Sequence, residues 1–165
     1  MRKEYQSLLF GTVVTVVVLV VVIIGFVMLG TPGERRKIVR DEQRLSALST
    51  IANAVHNDAT MTLPIRPETG AQDLTNAKLP ATLEELEQKP IAERLPVTDP
   101  LTGARYAYKP DQAAKTYELC AAFETSTVER VEVPPFWQHP AGEKCFRFTL
   151  EEYPQGYYFH SGGIF

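Results

Sequence analysis

Two cysteines, three histidines and scattered glutamates carry most of the reactive chemistry available to this chain of 165 residues. Cys120 and Cys145 are its only cysteines, too few for a disulfide-rich miniprotein or a four-cysteine zinc module. They lie in two strand candidates separated by a long connection, and a bond between them would close a segment of 26 residues. Loop-closure entropy puts that closure at roughly 3–4 kcal/mol, and the competing reading is two buried thiols acting as small hydrophobes. A zinc site drawn from Cys120, Cys145, His139 and His160 has the right ligand types, but no short C-x-x-C or H-x-x-x-H pairing supports it, so no metal is expected. His56, His139 and His160 are widely separated and read as packing or surface residues. Glu84, Glu85 and Glu87 fall on a short helix and read as a solvated face placed favourably near its N-terminus. Glu124, Glu129, Glu132 and Glu143 are too sparse for a calcium loop. No Gly-rich phosphate loop, His-Glu-x-x-His or Gly-x-Ser-x-Gly occurs, which favours a chain that is not an enzyme and needs no cofactor, its small-molecule ligand, if it has one, unidentified.

The elements that would position these residues begin with an apolar run. Leu8 to Leu29 is 22 residues without charge or proline. At ~1.5 Å per helical residue it reaches roughly 33 Å, matching a hydrocarbon core of about 30 Å. The expectation is an N-terminal transmembrane helix over residues 1–33, with the lipid bilayer as its partner. Val13 to Ile24 is mostly β-branched, but lipid selects the helix because the backbone must satisfy its own hydrogen bonds. A cleaved signal peptide fits less well, since the run exceeds the usual ~7–15 residues and Gly30-Thr31-Pro32-Gly33 lacks a small-x-small site. The basic cluster Arg35, Arg36, Lys37, Arg40 and Arg44 would place the following domain in the cytoplasm. A Cys120–Cys145 bond would favour an oxidising exterior instead.

Residues 34–165 read as one α+β domain. Ile38, Leu45, Leu48, Ile51, Ala52, Val55 and Ala59 form an apolar stripe over residues 34–59, interrupted at Asp41, with Arg36, Lys37, Arg40, Gln43, Arg44 and Asn57 opposite. This is an amphipathic helix expected to pack on its own domain's sheet; a seam for self-association is the other reading. Pro64, Pro67, Gly70 and Pro80 make 60–103 a loop, carrying a short helix opened by the capping box Thr82-Leu83-Glu84-Glu85 and ended by Pro90. Asp99-Pro100-Leu101-Thr102-Gly103 signals a turn. A small antiparallel sheet is expected over 104–150, from strands at Ala104–Lys109, Thr116–Phe123 and Lys144–Leu150 with Pro110-Asp111-Gln112 in the first connection. Pro134-Pro135 stiffens the long connection at 124–143, in which Trp137 and His139 are the candidates for partner contacts, and 151–165 is an aromatic tail. Residues 60–165 carry 10 basic against 15 acidic side chains, which argues against nucleic acid as a partner.

Three segments taken together, Asp41-Glu42-Gln43-Arg44-Leu45 through Ile51, Leu79 through Leu86, and Asp99-Pro100-Leu101-Thr102-Gly103-Ala104-Arg105-Tyr106-Ala107-Tyr108, resemble type IV pilin-like and type II secretion pseudopilin-like proteins. The resemblance covers about residues 38–123. It implies a pilin-like head on the extracytoplasmic side of a bacterial-type cytoplasmic membrane, in a single-pass structural or envelope interaction protein whose partners are other pilin-like or envelope proteins. The prepilin signature departs from the family: a cut after Gly11 would leave Thr12-Val13-Val14-Thr15, and Val16 stands where the family carries glutamate. A stationary protein with a pilin-like head therefore fits better than a polymerising pilin. The other functional reading is an anchored ligand-binding or sensor module in which Tyr106, Tyr108, Trp137 and the tail aromatics line a pocket.

Overall fold

The computed structural model describes residues 2–29, 32–68, 70, 72–89, 95–128 and 130–157, with side chains in the first helix described from residue 10 to residue 25. Gly30, Thr31, Pro90, Glu129, His160 and the tail aromatics Tyr158, Phe159 and Phe165 lie outside the described residues. The chain divides into residues 1–37 and 38–165.

In the first unit, α1 spans Arg2–Leu29 and is apolar on every side of its described surface. Among the described residues no helix is long and apolar enough to cross a membrane. This overturns the N-terminal transmembrane helix expected over 1–33 and, with it, the single-pass membrane location on which the extracytoplasmic placement rested.

Helix α2 runs from Pro32 to Thr60. Proline suits a first helical turn because its missing N–H would have no intrahelical acceptor there. Leu45, Leu48, Ile51, Ala52, Val55 and Ala59 are buried as the stripe requires, but Asp41, Arg44, Ser49 and His56 are buried too. The expected solvated face is narrower than a simple amphipathic helix because two loops and the tail cover it. Asp99 reaches Arg44, Lys89 Nζ meets Asp58 at 2.7 Å, and the Tyr157 N–H donates to Ser49 Oγ at 2.9 Å.

The short helix α3, Leu83–Glu87, opens on Thr82, whose hydroxyl accepts from the Glu85 N–H while the Glu85 carboxylate reaches back to the Ala81 N–H. Three strands follow in the order β1-β2-β3, all antiparallel: Ala107–Asp111, Thr116–Phe123 and Gly142–Thr149. Strand β1 lies two or three residues later than its expected span. Pro110 and Asp111 pair with Tyr117 and Thr116 rather than forming the connection. Proline is tolerated because β1 is an edge strand. The turn moves on to 112–115, where Asp111 Oδ1 accepts from the Ala113 and Ala114 N–H groups and Lys115 adopts a positive φ of 53°.

Alternation along the strands gives the sheet two distinct faces. Tyr117, Leu119, Ala121, Phe123, Phe146 and Phe148 are buried with the stripe of α2 in one core. The Tyr117 hydroxyl donates to the Ala52 carbonyl at 2.9 Å, joining β2 to α2. Glu118, Cys120, Ala122, Glu143, Cys145 and Arg147 occupy the outer face by the same alternation.

Candidate functional site

Where α2 meets the end of β2, five charged side chains converge. Asp41 and Arg44 sit at i and i+3 on the helix, each only 2 % exposed. Arg44 donates from Nε to Asp99 Oδ2 at 2.5 Å, from Nη1 to Asp41 Oδ1 at 2.7 Å and Glu124 Oε2 at 3.2 Å, and from Nη2 to Asp99 Oδ1 at 3.3 Å. Arg40, one turn earlier, forks onto Glu124 at 2.6 and 2.8 Å. Asp41 also accepts from the backbone N–H groups of Glu124 and Thr125 and from the Thr125 hydroxyl. Thus Asp41 caps the C-terminal end of β2 while Arg44 ties that end to the Asp99 turn.

The Asp99 turn is built to present its carboxylate. Asp99 Oδ1 accepts from the Leu101 and Thr102 N–H groups, and Gly103, at a φ of 68°, lets the chain close so that its N–H donates to the Asp99 carbonyl. The Arg44 guanidinium, aided by these N–H groups against the cost of burial, holds the Asp99 carboxyl well below the usual range. Arg40 and then Arg44 lower Glu124 in the same way. Burial works against the charge on Arg44, yet its bonds to Asp99 and Asp41 raise it above its ordinary value.

Beside the cluster lies an open groove of about 240 Å³, reaching from Arg44 and Asp99 past Tyr106 to Cys120, Ala122 and Glu143. It exists because β1 stops pairing at Ala107, opposite Cys120, and residues 104–106 veer toward Val97–Asp99. Among the described residues the buried Tyr106 hydroxyl has no hydrogen-bond partner, and burial next to Asp99 pushes it up to about 12.

Cys120 and Cys145 are direct register partners, with Cα atoms 4.0 Å apart and sulfurs 2.07 Å apart in a disulfide. His139 is not with them. It is 0 % exposed, stacked on Phe123 at 3.7 Å between ring centroids, with Nδ1 3.1 Å from the Pro140 carbonyl. A zinc set of Cys120, Cys145 and His139 is therefore not assembled, and His160 lies outside the described residues. Among the described residues the group of potential metal-ligating donors is instead Cys120, Glu143 and Cys145.

Trp137 and His139 do not stand out from their loop as contact residues. Trp137 is 0 % exposed, donates from Nε1 to the Gln155 carbonyl, and meets Phe136, Phe146 and Phe148. The stiff Pro134-Pro135 pair turns it inward through the short 3-10 turn Pro135–Trp137. The large hydrophobic side chains that the described part of the loop exposes are Val131, at 96 %, and Val128. Tyr106 and Tyr108 likewise join the core and its margin, with the Tyr108 hydroxyl donating to the Pro80 carbonyl.

No protein-family model, curated protein or solved structure matches this chain significantly. The ionic cluster escaped the sequence pattern because its partners lie 55 and more residues apart. Its one local signal is Asp41 standing in the apolar register with Arg44 three residues on, a helix-spaced pair of opposite charge.

Proposed function

We propose that residues 38–165 form a pilin-like structural or interaction module, acting by presenting a rigid surface to another protein, a further pilin-like chain being the partner class the resemblance suggests. The observation that carries this reading is the self-compensated ionic cluster. Its donors and acceptors are directed at one another across α2, the Asp99 turn and β2, so its polar groups fix three elements in place rather than facing a reacting group. A helix clamped onto a three-stranded antiparallel meander, with its outer face cross-linked by a disulfide, suits load-bearing contact. The surface offered lies on the 124–141 connection, where Val128 and Val131 project from a segment anchored by buried Trp137 and His139. A ligand-binding or sensor reading is less well supported, because Tyr106, Tyr108 and Trp137 pack into protein instead of lining a common pocket.

Photo-crosslinking in the cells that make the protein tests the proposal. A photoreactive residue at position 131 should give a discrete adduct with one pilin-like protein or a second copy of this chain. The same probe at exposed position 109 should not. Val128→Asp should remove the adduct with stability changed by less than about 0.5 kcal/mol. Equal adducts from both positions, or none from 131, would contradict the presentation of this loop.

A further inference from the structure

We infer that reduction of the Cys120–Cys145 bond opens a site for one thiophilic divalent cation of the zinc and cadmium class, held by the two thiolates and the Glu143 carboxylate. The ligand atoms of Cys120, Glu143 and Cys145 lie within 4.8 Å of one another. The bond sets the distance between the two sulfurs, and the sheet sets the pairing of their residues and the place of Glu143. Cys120 and Cys145 are opposite each other in the β2–β3 ladder, and Glu143 precedes Cys145 by two residues on the same strand face. A Cα separation of 4.0 Å marks a non-hydrogen-bonded pair, the kind whose side chains stand closest. The ladder from Thr116–Phe123 to Gly142–Thr149 survives reduction, so the freed thiols stay face to face.

Zinc binds thiolate at about 2.3 Å and carboxylate oxygen at about 2.0–2.2 Å, tetrahedrally, a geometry that rotation of these three side chains reaches from their present spacing. Two soft sulfurs select against magnesium and calcium. Cys120 and Glu143 both line the groove beside the ionic cluster, which gives the cation its path and leaves room for a water as fourth ligand.

The chemistry balances with a dithiol as reductant. Thiol–disulfide exchange breaks the protein S–S bond, oxidises the dithiol to its cyclic disulfide, and leaves its two protons on Cys120 and Cys145. The cation then displaces those two protons as two metal–sulfur bonds form. The inference does not rest on the presentation role proposed for the 124–141 connection, although the bond it opens is the cross-link that stiffens the sheet in that reading.

The test uses the full chain, reduced with an immobilised dithiol, freed of reductant without oxygen, and titrated with cadmium alone. The expected result is saturation at one cadmium per chain, with a thiolate-to-metal charge-transfer band, while near-ultraviolet circular dichroism of Trp137 remains native. The oxidised chain should give no band. Glu143→Gln should weaken binding roughly tenfold or more, whereas Glu132→Gln, exposed on the neighbouring loop, should leave it unchanged. The inference is overturned by absence of saturable binding, by equal binding to the oxidised chain, by an unaltered affinity in Glu143→Gln, or by binding only after the Trp137 signal is lost.

Discussion

Replacing Arg44 by methionine isolates the work of the ionic cluster. The thioether chain occupies much of the guanidinium's volume but removes every one of its four hydrogen bonds to Asp41, Asp99 and Glu124. Asp41, 2 % exposed, then loses its guanidinium partner while still buried beside Glu124. Removing one partner of a buried pair costs about 3–5 kcal/mol, chiefly because the remaining charge stays desolvated. For a unit of about 130 residues the unfolding entropy is roughly 0.27 kcal/mol/K, so the melting temperature should fall by about 11–18 °C. Arg44→Lys should fall between wild type and Arg44→Met, since a point charge cannot serve the fork on Asp99 and Asp41 together. Thermal unfolding followed by far-ultraviolet circular dichroism measures both. The acid limb supplies a second signature. Asp99 and Glu124 have folded values below their ordinary 3.8 and 4.5, so their contribution is complete above those values and is lost as pH falls through the lower folded ones. Arg44→Met should flatten the Asp99 part of that loss. A loss under about 1 kcal/mol with an unchanged acid limb would refute the view that the cluster clamps the helix to the sheet.

Trp137→Ala should cost about 3–5 kcal/mol, because the ring is fully buried among Phe136, Phe146 and Phe148; a variant as stable as wild type in urea unfolding would return Trp137 to the surface role expected of it from sequence. Reduction of Cys120–Cys145, read by the same urea titration, should lower stability by roughly 3–4 kcal/mol through the 25-residue separation it closes. Burial lowers His56 and His139 from their ordinary 6.5, so the unfolded chain takes up protons first. Stability should therefore be complete above about pH 6.5 and decline below it by up to about 1.4 kcal/mol per pH unit for each histidine, and His56→Phe should remove one histidine's share of that slope.

Period and punctuation made the α+β elements legible. The seven-residue stripe from Ile38 to Ala59 needed only a periodicity of 3.6, Thr82 with Glu85 marked α3, and the Asp99–Gly103 turn was written in residues that each have a local geometric role. Local reading failed where tertiary partners decide. Pro110 looked like a breaker, but an edge strand with no ladder bond to lose on that side accepts it. Arg44 looked like a solvated residue because a charge on a helix is usually exposed; only the arrival of Asp99 and Glu124, 55 and 80 residues away, makes its burial tolerable. Trp137 and His139 read as candidates for partner contacts, since nothing local distinguishes an aromatic that projects from one that folds back onto Phe146 or Phe123. The apolar run of α1 suggests a span only through composition and length, and among the described residues no helix is long and apolar enough to supply one.

The clamp and the disulfide stabilise the domain through different states, and that difference yields a sharper prediction than either gives alone. The Arg44 cluster acts on the folded chain, where it compensates charges that the fold itself has buried. The disulfide acts mainly on the unfolded chain, by limiting the conformations it can visit. Neither substitutes for the other, so their losses should nearly add, to about 6–9 kcal/mol. Domains of this kind hold only about 5–15 kcal/mol in all. The reduced wild-type chain should therefore stay folded, with Cys120 and Cys145 still opposed across the ladder, as should oxidised Arg44→Met. Reduced Arg44→Met should lose the near-ultraviolet signal of Trp137 at 37 °C. A reduced Arg44→Met chain that keeps that signal would mean that the apolar contact between the α2 stripe and the inner face of the sheet suffices alone, and that the buried charges are a passenger of the fold rather than one of its supports.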